Sequence, residues 1–199
     1  MKTKRVLYLF LAIMAALVVA AALYKDAFMA ALDRPELYGH ARFAHIAAAT
    51  IFFANAVVGM LWERRALAVG SKEAVLHTYE TVAWLDARLS SPLIVVSLVA
   101  GLVMAAPAGD VFEQGWLSWA FALFLFSGAF WVLSDIPTQY RVKRLTAALD
   151  PADPVLPAEL VRLLRLRWWI SLAGVAPLVA VFALMVYKPA VPALAGLFR

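Results

Sequence analysis

Apolar residues collect in five long runs, and the short segments between them carry most of the charges. The runs cover residues 6–24, 41–62, 93–107, 116–136 and 168–187. A hydrocarbon core about 30 Å thick takes roughly 20 helical residues to cross, and backbone exposed to lipid must form its hydrogen bonds internally. Because polar and apolar residues do not alternate in these runs, helices are favoured over barrel strands. The pattern predicts an all-α, polytopic membrane helix bundle with five transmembrane helices.

The first and third runs depart from the simple pattern. The first follows a basic start, as in a signal peptide, but its apolar core is longer than the usual stretch of about 7 to 15 residues. Residues 1–24 are therefore predicted to form a retained N-terminal anchor helix. The third run is short for a span, and it becomes long enough if its helix starts near Ser90 and Pro92, because proline is tolerated in a first turn.

The segment between the second and third runs has apolar residues near helical spacing. Leu76, Tyr79 and Val82 would lie close to one face, with Ser71 as the N-cap. This predicts an amphipathic helix that lies on the cytoplasmic surface and leads into the third span. After the fourth run, the prolines of DPADPVLP break any helix, and residues 157–188 are predicted to form the last one. Residues 1–199 are predicted to be a single membrane domain.

The charges agree with a membrane protein and predict its orientation. The chain is 65% hydrophobic and 16% charged, with a mean hydropathy of +0.83. With the N-terminus inside, thirteen of the 18 Lys and Arg residues fall on inner segments and five on outer ones. This bias predicts an inner-membrane protein with a cytoplasmic N-terminus and a periplasmic C-terminus. The net charge of +5 is then explained by topology and lipid contact, so the expected partners are the bilayer and other membrane subunits or a homo-oligomer, not nucleic acid.

Several kinds of chemistry are excluded or disfavoured by the residues present. The absence of cysteine excludes disulfides, cysteine-ligated clusters and thiolate nucleophiles. No paired carboxylates occur within the predicted spans, so a carboxylate-based proton or sodium pathway has little support. Asp135 is the acidic residue well inside a predicted span, within a turn of its cytoplasmic end. Its expected partners are Arg141, Arg88 or the residues that follow Pro137.

The histidines offer the main candidate site. His45 lies about one turn inside the second run on the outer side, while His40 precedes that run and His77 belongs to the inner loop. The predicted topology separates His77 from the other two, so an axial partner for His45 must come from another helix at the same depth. Met104, near the outer end of the third run, is the candidate, because His and Met together ligate haem in electron-transfer proteins.

Two other interpretations of His45 stay open. Imidazole and thioether groups also suit copper, particularly Cu(I), and the predicted outer layer holds further donors. The candidate metal ligands are His45, Met104 and His40, with Met29, Asp26, Asp110 and Glu113 in the same layer. Alternatively, His45 is a partly buried polar residue that bonds to water or to a neighbouring carbonyl group.

Three stretches share their order and spacing with a known family: FAHIAAATIFFANAVVGMLWERR, WLDARLSSPLIVVSLVAGLVMA and QGWLSWAFALFLFSGAFWV. A His opens one helix, an Arg-Leu pair precedes a Pro-headed helix that ends in a Gly, and Gly-Trp-Leu opens the next. Over residues 41–145 the chain resembles the bacterial membrane family catalogued as domain of unknown function 2269. It is more distantly similar to the HemJ-type four-helix protoporphyrinogen oxidase and to the membrane domain of CopD-type copper-resistance proteins.

The resemblance to the oxidase implies a b-type haem, with His45 matching the His ligand that opens a helix. The oxidase's other ligand is a Lys shortly after Gly-Trp-Leu. That position falls on or near Ala120 here, and Ser118 stands where a His often occurs. This departure removes half of the expected site, so protoporphyrinogen oxidation is not carried over to this chain.

Three functional hypotheses follow from the sequence. The first is a haem b-associated membrane protein with a redox or haem-related role, in which His45 and Met104 are axial ligands. The second is a non-catalytic accessory subunit or assembly factor of a larger membrane complex, suggested by alanine-rich helix faces that allow close packing. The third is copper or other metal handling or transport. The sequence leaves open whether the protein is an enzyme.

Overall fold

The computed structural model describes residues 3–108, 111–149 and 155–197, and this part of the chain is almost entirely helical, with no strand. The predicted all-α fold is therefore confirmed. The described residues form eight α-helices: α1 (Thr3–Leu23), α2 (Lys25–Leu32), α3 (Tyr38–Val69), α4 (Lys72–Leu85), α5 (Ser91–Ala105), α6 (Gly115–Phe130), α7 (Ile136–Ala147) and α8 (Ala158–Tyr187).

Several helical stretches have the length and composition of membrane spans. Four such stretches occur within the described residues: Pro35–Val69, Lys72–Ala105, Gly115–Ala147 and Ala158–Tyr187. They confirm the predicted polytopic membrane bundle. Helix α1 is 21 residues long, but its described apolar stretch Arg5–Leu17 is shorter than these four. A fifth span formed by α1 stays a prediction.

Two of the long helices contain a wide, π-helical turn just before a proline. Asp86–Ser90 forms one such turn ahead of Pro92, and Trp131–Asp135 forms the other ahead of Pro137. A proline has no N–H group, and its ring collides with the carbonyl group four residues earlier. The N–H group just before each proline instead bonds to the carbonyl group five residues back. Each turn joins its neighbouring helices into one stretch, α4 with α5 and α6 with α7.

Helix α4 is the amphipathic helix predicted between the second and third runs. Gly70 ends α3 with φ at 75°, a left-handed conformation that glycine adopts without strain. Ser71 then caps α4, because its Oγ accepts a hydrogen bond from the Ala74 N–H at 3.0 Å, which confirms the predicted N-cap. The helix continues through the wide turn, so it forms the first part of the 34-residue stretch Lys72–Ala105.

The described residues group into two compact units. The first unit takes in the described parts of Met1–Asn55, Trp84–Ser118 and Pro189–Arg199. The second unit takes in Ala56–Ala83 and the described parts of Trp119–Lys188. The predicted single membrane domain over residues 1–199 stays a prediction.

In the first unit, α1 packs against α5 and against the wide turn Asp86–Ser90, and α2 packs against α5. Asn55 of α3 adds a polar contact to the same turn. Its Nδ2 donates to Ser90 Oγ at 2.9 Å and lies 3.4 Å from Asp86 Oδ1. Because a polar group in an apolar environment needs a partner, this amide helps to fix α3 against the turn.

The segment after α8 packs against the start of α6, also within the first unit. A Cβ atom on Gly115 would lie 1.8 Å from the carbonyl oxygen of Val191, so only glycine fits there. Ser118 Oγ donates to the Gly115 carbonyl oxygen at 2.8 Å and accepts from the Leu194 N–H at 3.2 Å. The Ala195 N–H donates to the Phe112 carbonyl oxygen at 3.4 Å.

The second unit has a core contributed by α3, α4, α7 and α8. Its buried residues are Ala66, Val75, Val142, Leu160, Leu163 and Leu164. Helices α6 and α8 approach closely at Gly174, where a Cβ atom would lie 3.4 Å from the Phe130 ring. Ser127 Oγ donates to the Gly174 carbonyl oxygen. This contact lies beside Pro177, the proline inside α8, where the helix lacks one backbone hydrogen bond.

Candidate functional site

His45 of α3 is anchored to α5 by a backbone carbonyl group. Its Nδ1 lies 2.7 Å from the carbonyl oxygen of Ser97. Because a carbonyl oxygen can only accept a hydrogen bond, Nδ1 carries the proton, and Nε2 of the neutral ring keeps its lone pair. His45 is half-buried, and no hydrogen-bond partner for Nε2 is found in the described part of the chain. The predicted ligand therefore has a fixed tautomer and an available nitrogen.

Close packing at Gly101 sets the position of the ring. A Cβ atom on Gly101 would lie 3.0 Å from both Nδ1 and Cε1 of His45, which is closer than side chains normally pack. Ser97 and Gly101 are four residues apart and share one face of α5. This face offers the imidazole a carbonyl oxygen and a gap without a side chain. A ring N–H bonded to a carbonyl group is the arrangement that orients histidine ligands in metal sites.

The structure gives different positions to the two other predicted ligands. Met104 lies seven residues after Ser97 and three after Gly101, so it stands on the face of α5 that contacts His45. His40 is exposed in the first turn of α3, and a separation of five residues places it on a different face from His45.

The other expected metal donors do not form a cluster in the described residues. No group of three or more His, Asp or Glu side chains that could hold a metal ion is found there. Asp110, one of the predicted outer-layer donors, lies outside the described residues. The two positions that would carry the second ligand and the His of the oxidase, Ala120 and Ser118, are both fully buried at 0% exposure. A larger side chain would not fit at either position without repacking.

The second unit contains a buried arginine between two carboxylates. Arg167 is 2% exposed, Glu63 is 4% exposed and Asp135 is 5% exposed. Arg167 Nη2 donates to Glu63 Oε1 at 2.9 Å, and Nη1 lies 3.4 Å from Asp135 Oδ1. The ring of Tyr79 lies 5.5 Å from the Arg167 Cζ. Buried charges are costly unless they are paired and hydrogen-bonded, so these three groups depend on one another.

Asp135 accepts further hydrogen bonds from two helices. Ser171 Oγ donates to Oδ1 at 3.1 Å, and Gln139 Nε2 donates to Oδ2 at 2.9 Å. The Asp135 carbonyl oxygen accepts from Thr138 Oγ1 at 2.7 Å and from Arg167 Nη1 at 3.3 Å. These bonds fasten the second wide turn to α7 and α8.

The expected arginine partners of Asp135 are wrong. Arg141 pairs with the exposed Glu159 at 2.8 Å, and the Arg88 guanidinium stacks on Trp84, with 5.1 Å between Cζ and the ring centroid. The expectation that residues after Pro137 would bond to Asp135 is confirmed by Thr138 and Gln139. Glu63 directly follows the second apolar run and so lies outside the predicted spans, where the sequence indicates no paired carboxylates.

The helical spacing of the apolar residues in α8 could have identified Arg167 as a buried residue. The buried positions of α8 include Leu160, Leu163, Leu164 and Arg167, which recur every three to four residues. This spacing places Arg167 on the apolar face of the helix. An arginine on such a face needs a carboxylate partner, because a buried charge is costly unless it is paired.

An open cavity of about 370 Å³ lies beside this ion network in the second unit. It is lined by Glu63, Arg64, Leu67, Tyr79, Leu164, Arg165, Trp168 and Trp169. The Arg64 Cζ lies 5.1 Å from the Trp168 ring centroid, and the Trp168 and Trp169 rings meet edge to face at 4.7 Å. Within the described residues, neither Arg64 nor Arg165 forms an ion pair.

The fold and its long apolar helices define the protein as a polytopic α-helical integral membrane protein. Residues 40–189 match the family model described as predicted integral membrane protein (DUF2269), and the chain belongs to that family. The searches of curated proteins and of solved structures returned no match. The family resemblance seen in the sequence is thereby confirmed, while the similarity to HemJ-type and CopD-type proteins stays a prediction.

Proposed function

We propose that this integral membrane protein binds a b-type haem and has a redox or haem-related role, in which His45 would be a ligand of the haem iron. The observation that supports the proposal is the setting of the His45 ring. Its Nδ1–H bonds to the Ser97 carbonyl oxygen, and its Nδ1 and Cε1 face the side-chain gap at Gly101. This leaves Nε2 without a partner among the described residues, in the form that binds haem iron.

The residues present fit one half of such a site well. The hydrogen bond to the Ser97 carbonyl oxygen fixes the ring and makes Nε2 a stronger donor. Met104, on the same face of α5, is the proposed second ligand, because imidazole and thioether together are a known ligand pair for haem. A bound haem would supply one-electron transfer. His45, Ser97 and Gly101 would determine where its iron lies and how basic its ligand is.

The absorption spectrum of the purified full-length protein from haem-replete cells tests this proposal. We expect a Soret band that is lost in His45→Ala and kept in His40→Ala. The second variant is the matched control, because it removes an exposed imidazole five residues away on another face of α3. A wild-type protein without a Soret band would overturn the proposal.

Copper handling is the second candidate function, because imidazole and thioether donors also suit Cu(I). Its proposed ligands are His45 and Met104, because His40, the third predicted ligand, lies on a different face of α3. Metal analysis of the same preparations separates the two candidates. Stoichiometric copper that is lost in His45→Ala, together with no Soret band, would replace haem binding with metal handling. Neither cofactor, together with a co-purifying membrane subunit, would support the accessory-subunit hypothesis.

We further propose that the protein resides in the bacterial inner membrane, with its N-terminus in the cytoplasm and its C-terminus in the periplasm. The support is the distribution of charge, since thirteen of the 18 Lys and Arg residues fall on segments assigned to the inside. In this orientation His45 lies towards the periplasmic side, and the Glu63–Arg167–Asp135 network lies towards the cytoplasmic side.

A further inference from the structure

The cavity of the second unit lies where two apolar runs end. Glu63 and Arg64 directly follow the run at residues 41–62, and Arg165 shortly precedes the run at residues 168–187. Arginine and tryptophan at such boundaries occupy the headgroup layer of a bilayer. The cavity is therefore expected at the depth of lipid phosphates and not in the hydrocarbon core.

The charge that the cavity presents is positive. Glu63 also lines it, but this carboxylate is 4% exposed and bonds to Arg167 at 2.9 Å. Arg64 and Arg165 are exposed and form no ion pair in the described residues. Two unpaired guanidinium groups beside an already paired carboxylate favour an anionic ligand.

The remaining lining suits the rest of a lipid molecule. Leu67, Leu164 and the rings of Trp168 and Trp169 form an apolar wall next to the two arginines. Stacking of Arg64 on Trp168 leaves the N–H groups at the edge of the guanidinium free to bond to a phosphate oxygen. A free phosphate ion would use the arginines but would gain nothing from the apolar wall.

We infer that this cavity binds the phosphate headgroup of an anionic phospholipid, with Arg64 and Arg165 as the phosphate ligands. The lipid's glycerol and upper acyl chains contact Leu67 and the two tryptophans. This site is separate from the His45 site, so either inference can fail without the other.

Native mass spectrometry of the full-length protein in neutral detergent, titrated with phosphatidylglycerol, tests the inference. We expect one phosphatidylglycerol molecule to bind more tightly than the other phosphatidylglycerol molecules that attach to the protein. A basic residue near a membrane surface is worth enough to change affinity by about fivefold. The variant carrying both Arg64→Gln and Arg165→Gln should therefore bind this lipid more weakly by about one order of magnitude or more.

The chain offers a matched control with the same loss of charge. Arg65 adjoins Arg64, and Arg162 lies one turn before Arg165, but neither lines the cavity. The variant carrying both Arg65→Gln and Arg162→Gln should still bind its tightest phosphatidylglycerol molecule as strongly as the wild type does. An equal loss in this control would show that general surface charge attracts the lipid and would overturn the inference. If both double variants unfold at temperatures near that of the wild type, a loss of lipid binding is not caused by a loss of folding.

Two further ligands identify the source of the phosphate. Phosphatidylethanolamine, which carries no net charge, should bind more weakly than phosphatidylglycerol. Glycerol phosphate, which lacks acyl chains, should not displace the bound lipid at equal concentration. Displacement by glycerol phosphate would assign the cavity to a soluble phosphate compound, and equal binding of both lipids would remove the anionic preference. Either result would overturn the inference.

Discussion

At the scale of single residues, Arg167 is a buried cation that is 2% exposed. One guanidinium group contacts two buried carboxylates and a tyrosine ring. Its Nε has no hydrogen-bond partner, so the side chain is held by its two terminal nitrogens. Removing this single cation would leave Glu63 and Asp135 buried together without a counter-charge.

Arg167→Met should lower the free energy of unfolding by about 3 to 5 kcal/mol, the usual cost of breaking a buried pair by removing one partner. Unfolding of the variant and the wild type in mixed detergent measures this change in free energy. The control is Arg141→Met, which breaks an ion pair whose side chains are 52% and 50% exposed and should cost less than about 1 kcal/mol. Equal losses in the two variants would contradict the structural role of Arg167. Adding Glu63→Gln and Asp135→Asn to Arg167→Met should recover part of the loss.

Gly101→Ala tests the contact that positions His45. The added Cβ atom would lie 3.0 Å from the imidazole, so we expect a loss of about 1 to 3 kcal/mol in unfolding free energy, as in other overpacked sites. Any Soret band should also shift or weaken. Gly128→Ala in α6 is the control, because no atom lies within 4 Å of its added Cβ atom and alanine favours a helix. Unchanged stability and spectrum in Gly101→Ala would refute the proposed contact.

At the scale of elements, the segment after α8 depends on one glycine for its position. Gly115→Ala would place a Cβ atom 1.8 Å from the Val191 carbonyl oxygen, so the segment would have to separate from the start of α6. Amide hydrogen exchange followed by mass spectrometry should show faster exchange in the C-terminal peptide that contains Leu194 and Ala195. Gly39→Ala, which meets no atom within 4 Å, should leave that peptide unchanged. Protection that persists in Gly115→Ala would contradict this packing.

The sequence predicts these elements better than their contacts. Runs of apolar residues locate the long helices, because hydrophobicity decides what can cross a membrane. They underestimate helix length, since α3 continues from Trp62 through Glu63, Arg64 and Arg65 to Val69, and charged residues with long side chains form helices well. The pairing of Glu63 with Arg167 joins positions 104 residues apart, and no local pattern specifies such a contact.

The His45 site likewise combines a residue that the sequence identifies with contacts that the sequence does not specify. A histidine at the start of an apolar helix is visible in the sequence and marks a candidate ligand. The fixed tautomer is not visible, because it depends on the Ser97 carbonyl oxygen of another helix. The role of Gly101 is equally hidden, since the absence of a side chain has meaning only once the facing residue is known. The sequence therefore indicates which residue to examine, and the packed helices indicate which of its nitrogen atoms is available.

At the scale of the whole molecule, the predicted orientation can be tested with reporter fusions. Alkaline phosphatase, which is active only in the periplasm, should be active when fused after Arg199 and inactive when fused after Ala147. A fusion within residues 33–37 should also be active if α1 crosses the membrane. Activity after Ala147 would reverse the orientation, and an inactive fusion at residues 33–37 would remove α1 from the list of spans.

The wide turns at Asp86–Ser90 and Trp131–Asp135 also affect how substitutions and deletions should be understood. A π-helical turn contains one residue more than an α-helical turn, so the helix beyond it is rotated by about 100°. Deleting Leu133, which is 75% exposed, would remove the extra residue and would rotate α7 relative to α6. The π-helical turn that places Asp135 beside Arg167 would be lost. The extra residue rotates the second part of the helix relative to the first, so one continuous helix presents its apolar face in two directions.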